Sequence, residues 1–272
     1  MSDFALLLSL QEVTQRVARE EIMPRFLHVT AEIKPDGGLL TAADIAAQQA
    51  LMQFLPELAP FPVLGEEMTD DDQHRLWEEN QDGLWVVDPI DGTTNFAHGL
   101  PCFAISIALM RAGRPVVGII YAPLLGDCFT AISGQGAWHN GEVLCAKEAR
   151  PLAQAMAAIS MKRLPADLAA QVTSHRPFYA QRSFGASTLD WCWLAAGRMD
   201  LMLHGAQKLW DFAAGALILQ EAGGCVATLE TDDFWSATPW QRSVLAARTP
   251  ALFAQWREWV HAHRLSVINA AR

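Results

Sequence analysis

Residues 85 to 96 read Trp-Val-Val-Asp-Pro-Ile-Asp-Gly-Thr-Thr-Asn-Phe, and no other segment restricts fold and chemistry so strongly. An apolar strand pattern runs into two carboxylates three residues apart, Asp88 and Asp91. Pro89 between them removes a backbone donor and fixes φ, which predicts that the strand stops there. Gly92 then supplies permissive backbone, and Thr93 and Thr94 supply hydroxyls. Acids suited to a hard cation thus adjoin N–H groups and hydroxyls suited to a phosphate. The plainer reading is a strand end and turn, with Asp91 capping a helix.

The chain has 272 residues, enough for one large domain or two modest ones. At 51% hydrophobic and 18% charged it reads as a compact globule rather than a disordered chain. A formal charge of −10 argues against a nucleic-acid partner, which needs a basic face. Clustered acids account for part of that charge; left uncompensated they repel, so bound divalent cations are expected to stabilise the fold. No apolar run approaches the roughly 20 residues that span a bilayer, so no membrane partner is expected. The N-terminus, with Asp3 and Glu12, lacks the pattern of a signal peptide. Five dispersed cysteines without a Cys-x-x-Cys pair read as reduced thiols of a cytoplasmic protein.

Leu7, Leu10, Val13 and Val17 give helical spacing to residues 4–29, a first amphipathic helix. Lys34-Pro35-Asp36-Gly37-Gly38 reads as a loop. Cys102 to Trp138 reads as three strands with short turns, hence an antiparallel meander. After Pro151 the texture changes: strands at 155–160, 199–203, 225–229 and 244–247 alternate with helices at 164–172, 187–196, 211–222 and 250–263. Alternation of that kind predicts a second sheet covered by helices. The expected organisation is two sub-domains, 1–150 and 151–272, sharing one cleft. Ten scattered tryptophans without common spacing read as core or subunit-interface residues.

Three further segments fit the site suggested by Asp88 and Asp91. Gly65-Glu66-Glu67 follows the apolar run Phe61-Pro62-Val63-Leu64. Thr41-Ala42-Ala43-Asp44 opens a helix running through Phe54, and Trp210-Asp211-Phe212-Ala213-Ala214-Gly215 opens another that stops at Gly223-Gly224. These four segments, in this order, resemble the inositol monophosphatase family of magnesium-dependent, lithium-sensitive phosphatases. The resemblance runs from about Thr41 to Gly224. It implies an α+β fold, the layered αβαβα sandwich of the inositol monophosphatase/fructose-1,6-bisphosphatase type, with the site between the halves, and a homodimer.

The resemblance also implies a ligand set. One Mg²⁺ ion would take Glu66, Asp88 and the carbonyl of Ile90; a second would take Asp88, Asp91 and Asp211; a third, weaker ion could sit near Glu66. Mn²⁺ is a possible substitute, and no His/Cys cluster competes. Such ions lower the pKa of a water and bridge attacking and leaving oxygens. Glu66 and Thr93 would position the water, Asp44 would accept from Thr93, and the N–H groups of Gly92 and Thr93 would hold phosphate oxygens. Taken singly, Asp44 and Asp211 stand where helix N-caps are expected. Glu67 reads as a solvated or supporting acid, and His261 with His263 as a surface pair.

Substrate selection departs from the family pattern. Gly185-Ala186-Ser187 matches the turn that contacts the polyol, but His204 stands where the family has an acid. A neutral imidazole both donates and accepts, whereas a carboxylate only accepts. The alternative is a strand-end histidine without substrate contact. A second departure is Gly38-Leu39-Leu40-Thr41 where Asp-Leu-Val-Thr is frequent; Lys34 could still reach the site. The expected substrate is a small phosphorylated metabolite, with inositol 1-phosphate leading. The alternatives are histidinol phosphate, a 3′-phosphoadenosine nucleotide or fructose bisphosphate, or a fold-retaining regulatory protein that binds the transcription machinery.

Overall fold

The computed structural model describes residues 2–34, 37–145, 148 and 150–270. Pro35 and Asp36, at the centre of the expected loop, lie outside the described residues, as do Met1, Ala146, Lys147, Ala149, Ala271 and Arg272. Helix α1 (Asp3–Val17) is capped by the Ser2 hydroxyl. It does not run to Val29 as the spacing suggested. A π-turn at Ala18–Ile22 and a 3₁₀ turn at Met23–Arg25 follow, and Leu27 adopts a positive φ of 67°. Pro24, inside the 3₁₀ turn, has no N–H with which to continue a helix.

Strands β1 (Ala31–Ile33) and β2 (Leu39–Thr41) form a small antiparallel ribbon, and α2 (Ala42–Leu58) follows directly. Then come β3 (Val63–Gly65), α3 (Asp70–Glu79), β4 (Leu84–Asp91) and the short α4 (Thr93–Ala97). The expected meander occupies β5 (Ala104–Arg111), β6 (Arg114–Ala122) and β7 (Asp127–Ile132), extended by β8 (Gly136–His139) and β9 (Glu142–Leu144). Among the described residues these make one sheet in the order β3-β4-β5-β6-β7-β8-β9, with β3 parallel to β4 and β4 to β8 antiparallel.

The faces of this sheet separate by the two-residue period of a strand. Trp85, Val87, Ile105, Ile107, Leu109, Val117 and Ile119 share one core with Leu6, Leu7 and Leu10 of α1 and Ala43, Ala47, Leu51 and Leu55 of α2. Each fully buried leucine there contributes roughly 1.5–3 kcal/mol. The other face carries Asp88, Ser106 and Gly118.

Pro89 does not end β4. The strand continues to Asp91, which pairs with Ala104 after a register shift between Asp88 and Asp91. On its other side β3 has already ended, its last pair being Gly65 with Val87. The proline therefore falls where the ladder is interrupted, and its missing donor costs no regular strand bond.

The remaining elements are β10 (Met156–Ser160), α5 (Ala166–His175), β11 (Ala180–Arg182), α6 (Ser187–Ala195), β12 (Leu201–Gln207), α7 (Leu209–Glu221), β13 (Cys225–Ala227), β14 (Arg242–Ala247) and α8 (Pro250–Ala270). The second sheet has the order β11-β10-β12-β14-β13, parallel around β10 and antiparallel around β14. Ala157, Ile159, Leu201, Leu203, Leu245 and Ala247 form its core with Leu168 and Val172 of α5 and Leu252, Trp256 and Val260 of α8.

The chain groups into two compact units that interleave in sequence. One comprises Met1–Val143, Phe184–Cys192 and Trp210–Glu221; the other comprises Leu144–Ser183, Trp193–Leu209 and Ala222–Arg272. The first unit thus takes most of α6 and α7 from the later chain. No described helix is long and apolar enough to cross a membrane.

Candidate active site

Carboxylate oxygens of Asp88, Asp91 and Asp211 all lie within 4.8 Å of one another. Local interactions account for the convergence. Asp88 pairs with Ser106 across β4 and β5, and the Ser106 hydroxyl donates to the Trp210 carbonyl at 3.1 Å. The next residue, Asp211, stands in the first turn of α7. Gly118 eases the close approach of α7, because a Cβ there would lie 3.2 Å from Ala214 Cα.

Asp91 accepts from the N–H and the hydroxyl of Thr188 at 2.7 and 2.6 Å. It therefore holds the start of α6 and does not cap its own helix. The N-cap of that helix, α4, is Gly92, whose φ of +87° and 2.8 Å Cβ approach to the Cys102 carbonyl require glycine.

Asp88 is 1% exposed, and Asp91 and Asp211 are partly buried. Burial pushes the Asp88 carboxyl well above the usual range, with repulsion from Glu66, Asp91, Asp211 and Asp44 adding to it. Burial likewise raises Asp91 to about 6, opposed by its bonds from Thr188. Among the described residues no lysine or arginine is paired with Asp88 or Asp91. Oxygen-only ligands this close together fit a hard divalent cation.

Gly65-Glu66-Glu67 sits at the end of β3, as expected. Gln73 of α3 donates to the carbonyls of Gly65 and Glu66, both at 3.0 Å, and so fixes the turn. Gly65 leaves room for the Gln48 amide, which accepts from the Glu67 N–H at 3.0 Å. Glu67 is not solvated. Its side chain is 9% exposed, and burial, with Glu66 beside it, raises its pKa to about 7. Lys34 Nζ lies 2.9 Å from Glu66 Oε1 and 2.6 Å from Glu67 Oε1. Burial opposes the charge on Lys34, but the two carboxylates prevail and its pKa rises.

Thr93 Oγ1 stands 3.0 Å from the Ile90 carbonyl and 3.4 Å from Asp44 Oδ1. Asp44 is not the N-cap of α2. Thr41 is, and Asp44 closes the capping box by accepting from the Thr41 N–H and hydroxyl at 2.8 and 2.6 Å. One oxygen therefore serves the helix start while the other faces Thr93. Burial raises Asp44 to about 6. Asp211 is no N-cap either, since α7 begins two residues earlier.

Thr94 is exposed. Gly185 has a positive φ of 75°, Ala186 is buried, and Ser187 opens α6. Asn95 binds this turn to the motif by donating to the Phe184 and Cys102 carbonyls at 2.6 and 2.7 Å. In the second unit, His204 lies in β12 just before its register shift. Burial first, then Arg163, lowers its pKa to about 4, and Nδ1 accepts from the Ala206 N–H at 3.2 Å. The ring is thus neutral at pH 7, with its proton on Nε2.

Sequence reasoning missed Thr188, Ser106, Asn95, Gln48 and Gln73. Ser106 carried a signal: it is the one polar side chain in the apolar run from Phe103 to Met110. The others act through contacts that exist only once the chain has folded, and left none.

An acidic, oxygen-only cluster beside a helix start, on a mixed α+β fold, suits the chemistry of a phosphate-ester hydrolase. A sequence profile of the inositol monophosphatase family matches residues 5–266. The chain is 36% identical over 202 residues to the inositol-1-monophosphatase of Caulobacter vibrioides, a match covering 71% of this chain and 77% of that protein. It is 34% identical over 199 residues to the Nus factor SuhB of Pasteurella multocida, covering 71% of this chain and 73% of that one. The inositol monophosphate-bound structure of staphylococcal SaIMPase-II superposes with a TM-score of 0.80 at 25% identity, covering 99% of this chain and 100% of that one. This chain belongs to the inositol monophosphatase family. It has that family's α+β fold and is a phosphoric monoester hydrolase.

Proposed function

We propose that the chain hydrolyses a small polyol phosphate, inositol 1-phosphate first among the candidates, with Mg²⁺ or Mn²⁺ held by Glu66, Asp88, the Ile90 carbonyl, Asp91 and Asp211. The observation that carries the reading is the meeting of three carboxylates within 4.8 Å around the buried Asp88. When bound, such ions neutralise phosphoryl oxygens and lower the pKa of a water. The protein's own groups do the remaining work. The Thr93 hydroxyl directs its proton at the Ile90 carbonyl or Asp44, which turns its lone pairs outward to accept from the attacking water. Glu66 fixes the same water, and the N–H groups of Gly92 and Thr93 hold phosphate oxygens at the start of α4.

Gly185, Ala186 and Ser187, with Thr94, would contact the alcohol portion. His204, neutral and protonated at Nε2, would donate to a substrate oxygen where the family's acid accepts. Inhibition by Li⁺, a cytoplasmic location and a homodimer belong to the same reading.

The names of two similar proteins support it: the Caulobacter relative is an inositol-1-monophosphatase, and the staphylococcal structure holds inositol monophosphate. A second reading, a transcription-associated role, has its support in the Pasteurella relative's name, Nus factor SuhB. The test is phosphate release from inositol 1-phosphate, histidinol phosphate, a 3′-phosphoadenosine nucleotide and fructose bisphosphate, with Mg²⁺ or with EDTA. Release from the polyol phosphate that EDTA abolishes is expected. No release from any of the four, together with a stable macromolecular partner on purification, would replace the first reading by the second.

A further inference from the structure

We propose that the ammonium of Lys34 is the resident cation of the Glu66–Glu67 pair, so that the chain takes up two divalent ions and no third. The inference rests on the divalent-metal reading above and adds a count to it.

Lys34 Nζ donates to one oxygen of each carboxylate, at 2.9 and 2.6 Å, and leaves each a second oxygen. Both contacts are short, as charge-assisted bonds are. The three side chains are well shielded, with 15%, 26% and 9% of Lys34, Glu66 and Glu67 exposed. Both sides of the contact are anchored. The Lys34 N–H donates to the Gly38 carbonyl at 2.8 Å and the Lys34 carbonyl accepts from the Gly37 N–H at 2.9 Å, which ties Lys34 into the β1–β2 ribbon. Opposite, Gln48 and Gln73 hold the Glu67 N–H and the Glu66 carbonyl.

Charge decides the rest. Among the described residues no ammonium is paired with Asp88 or Asp91, and these two stand within 4.8 Å of each other and of Asp211, so divalent charge gains most there. At the outer pair a third divalent ion would have to displace a partly buried, doubly paired lysine. It would then leave that ammonium beside its own charge.

Electron paramagnetic resonance of free Mn²⁺ during titration counts the ions bound per chain. Two are expected for the unaltered protein and for Lys34→Arg, and three for Lys34→Met. Three ions in the unaltered protein, or two in a folded Lys34→Met, overturn the inference and leave the metal reading standing. No Mn²⁺ bound at all overturns the metal reading itself. Should Lys34→Met not fold, nitrogen-15 labelling of the chain's four lysines decides. A slowly exchanging Lys34 ammonium signal that persists at saturating Mg²⁺ supports the inference, and its loss on adding Mg²⁺ refutes it.

Discussion

Asp88→Asn separates what this cluster costs from what it does. Two unit charges 4.8 Å apart repel by about 3.5 kcal/mol at an effective dielectric constant of about 20. Asp88 meets two such neighbours, Asp91 and Asp211, in a site where it is 1% exposed. Part of that repulsion is shed because burial and the neighbouring acids favour the protonated form of Asp88, so the gain on neutralising it is on the order of 2–3 kcal/mol. Asparagine keeps the oxygen that accepts from the Ile90 N–H at 3.0 Å, so the local turn survives. The sign with pH follows from the raised pKa. Asp88 costs nothing below its unfolded pKa and its full charge penalty above its folded one, so the variant gains more at pH 8 than at pH 5.

Differential scanning calorimetry in EDTA at pH 8 should show Tm higher by roughly 4–12 °C, at about 2–4 °C per kcal/mol for a chain near this size. Saturating Mg²⁺ should raise Tm of the unaltered protein and leave the variant nearly unmoved, with turnover abolished. A variant that is less stable in EDTA, or that keeps the full Mg²⁺-dependent rise, refutes the reasoning.

Thr188→Val removes the 2.6 Å hydroxyl bond to Asp91 and should cost roughly 1.5–3 kcal/mol in urea denaturation, with weakened Mn²⁺ binding in the same titration; unchanged Mn²⁺ affinity counts against its positioning of Asp91. Asp44 and Asp91 at about 6 and Glu67 at about 7 hold protons when folded that the unfolded chain releases, so metal-free stability should fall as pH rises from about 4 through 7. The summed loss is on the order of 5 kcal/mol, read by urea denaturation in EDTA at pH 5 and 8, and saturating Mg²⁺ should flatten the slope. A metal-free protein more stable at pH 8 would contradict the burial of these acids.

The acids were legible because chemistry fixes their type and local pattern fixes their place at strand ends and helix starts. Asp88, Asp91, Glu66 and Asp211 each follow or open an element that its own residues specify. Their supports were not, because Gln48, Gln73 and Thr188 act across 19, 7 and 97 residues of chain and have no spacing to betray them. Pro89 misled for a related reason. Local rules say that proline ends a strand, but the interruption that accommodates it exists only once β3 stops at Gly65 and β5 slips past Asp88. The N-cap assigned to Asp44 belonged to Thr41, three residues away, since both residues of a capping box have cap-like chemistry.

The interleaving of the two units sets an order of assembly during synthesis. About 120 residues separate Asp91 from Asp211, which at ribosomal speed is a delay of roughly 6 to 24 s. Throughout that interval the nascent polypeptide has two of the three converging acids and a sheet face with nothing laid over Gly118. Any messenger truncated before codon 210 yields a product that can never complete the cluster.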